Sequence, residues 1–261
     1  MKKYELTAEF IEKWGKKLFR IKALISFGSV EAGELGGYVE KEDNLAQNGD
    51  AWVFDDAEVY GDARVFGNAR VYGNAEVCGD ARVCGNARVC DDAEVFGDAR
   101  VFDDARVCGD ARVCGNARVY GNAEVYGDAR VFDDARVCGD ARVCGNARVC
   151  GNAEVCDDAR VFGDARVCGD ARVCDDADYL LIGRIGSRFS FTTFFKNKDK
   201  GITVSCGCFL GTIAEFRAKV TDTHGNNKHA KMYNLAADMA ELQILGEEHF
   251  DKLNTNKSEL F

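Results

Sequence analysis

From Ala51 to Asp176 the chain repeats one hexapeptide, A-x-V-x-[G/D]-[D/N], twenty-one times without insertion or deletion. In the unit Ala63-Arg64-Val65-Phe66-Gly67-Asn68, Ala and Val lie two apart and share one side of a short strand. Arg or Glu and the Phe, Tyr or Cys residue take the other side. The closing pair supplies a turn, because Gly, Asn and Asp tolerate positive φ. A charge in nearly every hexad cannot be buried, so Ala and Val face inward. A strand this short buries little alone, and only stacked copies make a continuous core. Inward Val at about 1.5–3 kcal/mol each supplies a few tens of kcal/mol over the array before chain entropy is subtracted.

The stretch "GDARVCGNARVC" resembles the hexapeptide repeat of left-handed β-helices. The resemblance implies an all-β solenoid: a left-handed triangular parallel β-helix with three hexads per coil and about seven coils. The flanks "LFRIKALISFGSVEAGELGGYVEKEDNLAQNGDAWVFDDA" and "DYLLIGRIGSRFSFTTFF…VSCGCFLGTIAEFRAKVTDTHG" resemble uncharacterised bacterial and phage hexapeptide proteins, some labelled acetyltransferase-like or polymer-forming. That likeness implies acyl transfer as one activity, which in the family relies on a histidine at a coil edge and on loops leaving the helix. The array holds no histidine and no loop; His224, His229 and His249 all follow it. A general base is therefore missing where such a fold would place one.

Four segments are expected. Residues 1–50 form an N-terminal cap with entry hexads at Val39 and Leu45, offset from Val53 by Asn48-Gly49. Within the cap, residues 7–14 read as a short helix with Thr7 as N-cap, Gly15 as stop and Phe10, Ile11 and Trp14 on one face. Leu18 to Phe27 reads as strand and turn. Residues 51–176 are the repeat array. Residues 177–246 form a small α+β module, with Tyr179 in a last Val place and a hairpin over 188–208. There Phe189, Phe191 and Phe195 alternate, Asn197 to Gly201 turns, and Ile202, Val204, Cys206 and Cys208 alternate. Thr212 and Glu215 predict a capping box for a helix carrying Ile213, Phe216 and Val220, stopped by Gly225. A second helix is predicted from Asn227 to Leu245, ending at Gly246. Residues 247–261 are a polar tail.

The net charge of −10 sits in the array, which holds 15 Arg against 20 Asp and 5 Glu. Direct binding to nucleic acid or to an anionic membrane is thereby disfavoured. No run reaches the roughly 18 apolar residues of a membrane span, and the amino end lacks the apolar run of a secretory signal. Eleven of the thirteen cysteines occupy the repeat position otherwise held by Phe or Tyr, which reads as apolar filler in a reducing cytoplasm. Lane neighbours such as Cys90 and Cys108 would stand about 4.8 Å apart at Cα with parallel Cβ vectors, which disfavours a strain-free disulfide.

The array also repeats every thirty residues, from Cys78, Cys108 and Cys138. Thirty is not a multiple of eighteen, so each copy lands on a different face. Glu58, Glu76 and Glu94 share a lane, while Glu124 and Glu154 fall on the other two. Such copying would scramble any row of residues needed on one face, so the hexads read as interchangeable scaffold.

Candidate sites lie mostly outside the array. Arg184, Ser187 and Arg188, in a Gly-rich stretch, could cradle an anion. Cys206, Cys208, His224 and His229 offer a zinc-type ligand set, against the commoner reading of inert core cysteines. Outward Phe54, Tyr72, Tyr126 and Phe162 lie in one lane and suggest self-association. The reading favoured is a non-enzymatic scaffold rod that forms a homo-oligomer and presents a C-terminal module for a protein or small ligand. The alternatives are an acyltransferase-like hexapeptide enzyme and an acidic decoy of a nucleic-acid-binding protein.

Overall fold

The computed structural model describes residues 2–248; His249 and the polar tail beyond Glu248 lie outside the described residues. Each hexad contributes a two-residue strand, from Trp52–Val53 to Arg172–Val173. Each strand pairs in parallel with those eighteen residues away, Val upon Val. Three parallel sheets result, and three hexads complete one turn. The first face begins at strand β3 (Leu35–Val39), whose Val39 pairs with Val59. The second begins at a bridge between Leu45 and Val65, and the third at Trp52–Val53. Val39 and Leu45 are thus entry hexads. With Tyr179 packed at the far end, the solenoid has about eight turns rather than the seven of the uninterrupted array.

Every inward Ala and Val of the array is fully buried. The turn position needs a left-handed backbone: its glycines have φ of +68 to +73°. Asp55, Asp91, Asp103, Asp133 and Asp157 hold the same position at +51 to +61°. The last hexad position forms a ladder along the rod, in which Asn86 Nδ2 donates to Asp104 Oδ1 at 3.1 Å and Asn74 Nδ2 to Asp92 Oδ1 at 3.0 Å. The expected Glu lanes are present: Glu58, Glu76 and Glu94 are partners on the first face, Glu124 lies on the third and Glu154 on the second.

The N-terminal cap is a hairpin, not a helix. Strands β1 (Tyr4–Lys13) and β2 (Lys16–Ala23) pair antiparallel and extend the first sheet beyond β3. Trp14 and Gly15 both have left-handed φ, 53° and 75°, which makes a tight two-residue turn where a helix end was expected. Phe10 packs on Phe19 across the pair, and Trp14 stands exposed at the tip. Sheet extension overrides the helical spacing, because β2 satisfies the backbone of β1. Tyr4 and Phe27 meet the buried Trp52 edge-on and close the first coil.

At the other end, β4 (Tyr179–Ile185), β5 (Ser190–Lys196), β6 (Ile202–Cys206) and β7 (Phe209–Thr212) form an antiparallel sheet. Helices α1 (Ile213–His224) and α2 (Lys228–Leu245) follow, with the predicted Thr212–Glu215 capping box and Asn227 as the second N-cap. The expected Phe alternation needs correction: Phe189 sits in a turn at φ 49°, and Phe194, outside that alternation, belongs to the strand. Both faces of β5 are covered, so Thr192, Thr193, Phe194 and Phe195 are all buried. Phe195 joins Tyr179 in the rod's core, while Phe194 packs with Ile202 and Val204 against the helices. Thr193 Oγ1 accepts from Arg166 N at 3.0 Å, and Lys196 Nζ reaches Asp178 at 2.6 Å. The sheet is therefore both the lid of the last coil and the floor of the helical layer.

The stacked coils also bring thiols together. Cys90 with Cys108, and Cys156 with Cys174, are joined as disulfides at Cα separations of 4.7 and 4.5 Å. These separations fall within the span that disulfides bridge.

Candidate functional site

A groove opens in the C-terminal module between the β4–β5 turn, the end of β6 and the two helices. Ser187 and Arg188 come from the turn, Cys206 from the end of β6, Gly207 from the turn after it, Lys219, Thr223 and His224 from α1, and Tyr233 from α2. Its volume is about 160 Å³, and none of its lining residues is acidic. Phe216 forms the apolar floor, edge-on to Phe194 and to Tyr233.

Local chemistry fixes these side chains. The Gly225 turn reverses the chain between the helices and sets α1 beside α2. His224 then stacks on Tyr233, with ring centroids 5.7 Å apart. Gly186 has φ +72°, and a Cβ there would overlap the Tyr233 hydroxyl, so this turn closes over the phenol only as glycine. Burial first, and then the Cys206 thiol, push the Tyr233 hydroxyl up to about 12, with Arg188 pulling the other way. The phenol is therefore protonated at neutral pH. Thr192 Oγ1 donates to Cys206 Sγ at 3.2 Å, which ties the thiol to the sheet. Among the described residues no carboxylate lies within ion-pair distance of Arg188, whereas Lys219 has Asp222 at 3.3 Å.

The residues picked out in the sequence distribute unevenly. Ser187 and Arg188 line the groove; Arg184 is exposed outside it at φ 52°. Cys206 and His224 line it too. Cys208 sits in the two-residue turn between β6 and β7, where Gly207 at φ +61° swings it to the exposed side. His229 lies with its ring 5.8 Å from His224 but outside the lining. The four proposed zinc ligands are thus not gathered into one tetrad. Among the described residues, three ligand atoms come within 4.8 Å only at Cys90–Asp91–Cys108 and Cys156–Asp157–Cys174. Lys219 and Tyr233 were missed, although their spacing on amphipathic helices put them within reach of a search for donors.

On the rod, Phe54 and Tyr72 are half-buried and line a shallow depression with Arg70 and Arg88, while Tyr126 and Phe162 are 40% and 55% exposed. Among the described residues no helix is long and apolar enough to cross a membrane.

A family profile described as the YdcK beta solenoid repeat matches residues 57–73, 63–79, 111–127, 135–151 and 141–157. These matches fall wholly within the stacked coils. The chain is a β-solenoid repeat protein. No curated protein matches it. The family match covers hexads alone and touches neither the cap nor the C-terminal module, so the groove is a feature that this solenoid carries at its end.

Proposed function

We propose that this β-solenoid is a rigid, non-enzymatic scaffold, wound left-handed as its hexapeptide pattern suggests, whose C-terminal module captures a small anionic group. The observation that carries the reading is the Arg188 guanidinium, without a carboxylate partner among the described residues, in a groove shared with Lys219, His224 and the Tyr233 hydroxyl and lined, among those residues, by no carboxylate. Donors converging on an apolar floor suit a phosphate or carboxylate. The rod, with its interchangeable hexads, holds this module at a fixed distance from whatever engages the other end. Calorimetric titration of the full chain with inorganic phosphate and with a small dicarboxylate tests the reading. Binding of either, weakened at least tenfold by Arg188→Gln, is expected. Absence of binding to both anions sinks it, and saturable binding of coenzyme A would favour the acyltransferase alternative.

Self-association along the third face is a second reading, favoured by the exposed Tyr126 and Phe162 rings in one lane. Light-scattering mass of the full chain under reducing conditions should exceed that of one chain and fall to it in Tyr126→Ser/Phe162→Ser. A single-chain mass for the unmodified protein removes this second reading.

A further inference from the structure

The eleven cysteines of the array fall into two kinds when read along the faces. Cys78, Cys84, Cys114 and Cys144 each stand between aromatic residues of the coils on either side, as Cys84 does between Phe66 and Phe102. These four behave as apolar filler. The other seven stand beside one another: Cys90 with Cys108, Cys150 with Cys168, and Cys138, Cys156 and Cys174 in a row.

At three of these places the turn glycine is replaced by aspartate. Asp91 follows Cys90, Asp157 follows Cys156 and Asp175 follows Cys174. Asp175 has extended backbone and its Oδ1 accepts from Ala177 N at 3.0 Å, whereas the other two keep the left-handed turn. The sulfurs of Cys90 and Cys108 and a carboxylate oxygen of Asp91 all lie within 4.8 Å of one another, and so do those of Cys156, Cys174 and Asp157. Asp91 is aimed rather than loose: its Oδ2 accepts from Gly109 N at 3.0 Å, on the coil that carries Cys108, and lies 3.6 Å from Cys90 Sγ. Cys90 and Cys156 are buried while both aspartates are exposed, so each cluster opens to solvent on its carboxylate side. The Cys150–Cys168 pair has Gly151 and Gly169 in those places; Asp133 on the coil before accepts from Gly151 N at 3.1 Å, but among the described residues no third ligand atom comes within 4.8 Å of both sulfurs.

We propose that Cys90–Asp91–Cys108 and Cys156–Asp157–Cys174 are two binding sites for a thiophilic divalent cation of the zinc or cadmium class, formed when the thiols are reduced. Thiolate–zinc bonds of about 2.3 Å place two sulfurs of a tetrahedral site about 3.8 Å apart. The coil step, with Cα separations of 4.7 and 4.5 Å, supplies that spacing without backbone movement. The carboxylate gives a third ligand, and water takes the fourth. Binding is not redox: two S–H bonds break, two metal–sulfur bonds form and two protons are released. The disulfide is the competing state. It forms when the two thiols pass two electrons and two protons to a small-molecule disulfide, which leaves as two thiols. Oxidation and metal capture therefore exclude each other at each site.

Full-length protein, reduced with a phosphine and freed of reductant without air, is titrated with Cd²⁺ while thiolate–metal charge-transfer absorbance is followed. Two tight equivalents per chain are expected, and none after oxidation with glutathione disulfide. Cys90→Ser/Cys156→Ser should lose both. Asp91→Gly/Asp157→Gly installs the array's own commonest turn residue, keeps the fold, and should weaken both at least tenfold. Cys84→Ser/Cys114→Ser and Cys150→Ser/Cys168→Ser should leave both in place. Two tight equivalents surviving in Cys90→Ser/Cys156→Ser would overturn the proposal. Unchanged affinity in Asp91→Gly/Asp157→Gly would overturn the ligand set.

Discussion

Lys13 and Glu76 meet across 63 residues of sequence: Lys13 Nζ lies 2.5 Å from Glu76 Oε1 and also 2.5 Å from Glu58 Oε2. Glu58 and Glu76 are strand partners on adjacent coils, so the tip of the N-terminal hairpin supplies the cation that two stacked carboxylates need. Lys13→Met should leave these like charges facing each other and cost about 1–2 kcal/mol. Adding Glu76→Gln should recover most of that loss. Urea unfolding followed by tryptophan fluorescence reads the event locally, since Trp14 and Trp52 both belong to this end of the rod. Equal stability of the single and double variants would mean that the ion triad does not anchor the hairpin.

At the turn position, four of the left-handed aspartates face a glycine across one coil step. Asp55, Asp91, Asp103 and Asp133 each lie under a glycine of the next coil, whose N–H their carboxylate accepts at 3.0–3.2 Å. A Cβ on Gly85 would meet Asp103 N at 2.7 Å, whereas one on Gly97 would meet Gly115 N at 3.1 Å. Gly97→Asp recreates the arrangement found elsewhere and should cost under about 1 kcal/mol, while Gly85→Asp should cost about 1–2 kcal/mol more. Thermal melts of the two variants decide the point. A Gly85→Asp protein as stable as Gly97→Asp would show that adjacent coils yield at the turn.

How much of this was legible follows from where the constraint sits. The hexad dictates three things at once: inward Val, outward charge and a left-handed turn. The sheets, the entry hexads at Val39 and Leu45 and the Glu lanes could therefore be read directly. Residues 7–14 could not, because Phe10, Ile11 and Trp14 fit a helix locally while the free edge of β3 and β2 recruits them as a strand. Phe194 was hidden for a related reason: alternation reveals a strand with one wet face, and β5 has none. The groove was half legible. Arg188 stood out beside its glycines, but its meeting with Lys219 and Tyr233 depends on how α1 and α2 fold back over the sheet, which no local pattern states.

Lys3 is buried, with Nζ 2.8 Å from Ala51 O and 4.9 Å from the Phe27 ring centroid. Burial lowers its ammonium to about 8, against a raising influence from Asp50. An unfolded lysine titrates near 10.4, so between about pH 8 and pH 10.4 the unfolded chain holds a proton that the folded chain has released. Stability contributed by this group must therefore rise with pH through that window, and below about pH 8 the full cost of the buried charge is present. The unfolding free energy of the unmodified protein minus that of Lys3→Met should increase by up to about 3 kcal/mol between pH 7 and pH 10.5. Subtracting the variant removes the cysteines and tyrosines that titrate in the same range. A flat difference would place the Lys3 ammonium in contact with water.

Arg217 binds α1 to α2. Its Nη2 lies 2.7 Å from both Asp238 Oδ1 and Glu241 Oε2, and its Nη1 reaches Asn234 at 3.3 Å. Glu241 is buried, so Arg217→Met should strand its carboxylate and cost the C-terminal module about 3 kcal/mol. Arg217→Met/Glu241→Gln should recover part of this, because a neutral amide is cheaper to bury than an unpaired charge. Each coil contacts only its neighbours, so the loss should stay local. Hydrogen exchange should quicken in α1 and α2 and leave the amides of the central Val strands protected. The same variant should weaken anion binding in the groove, since Lys219, His224 and Tyr233 are held in place by the pairing of these two helices. Faster exchange spread evenly along the rod would instead show that the sheet at its end passes the damage into the solenoid, and that lid and rod unfold as one unit.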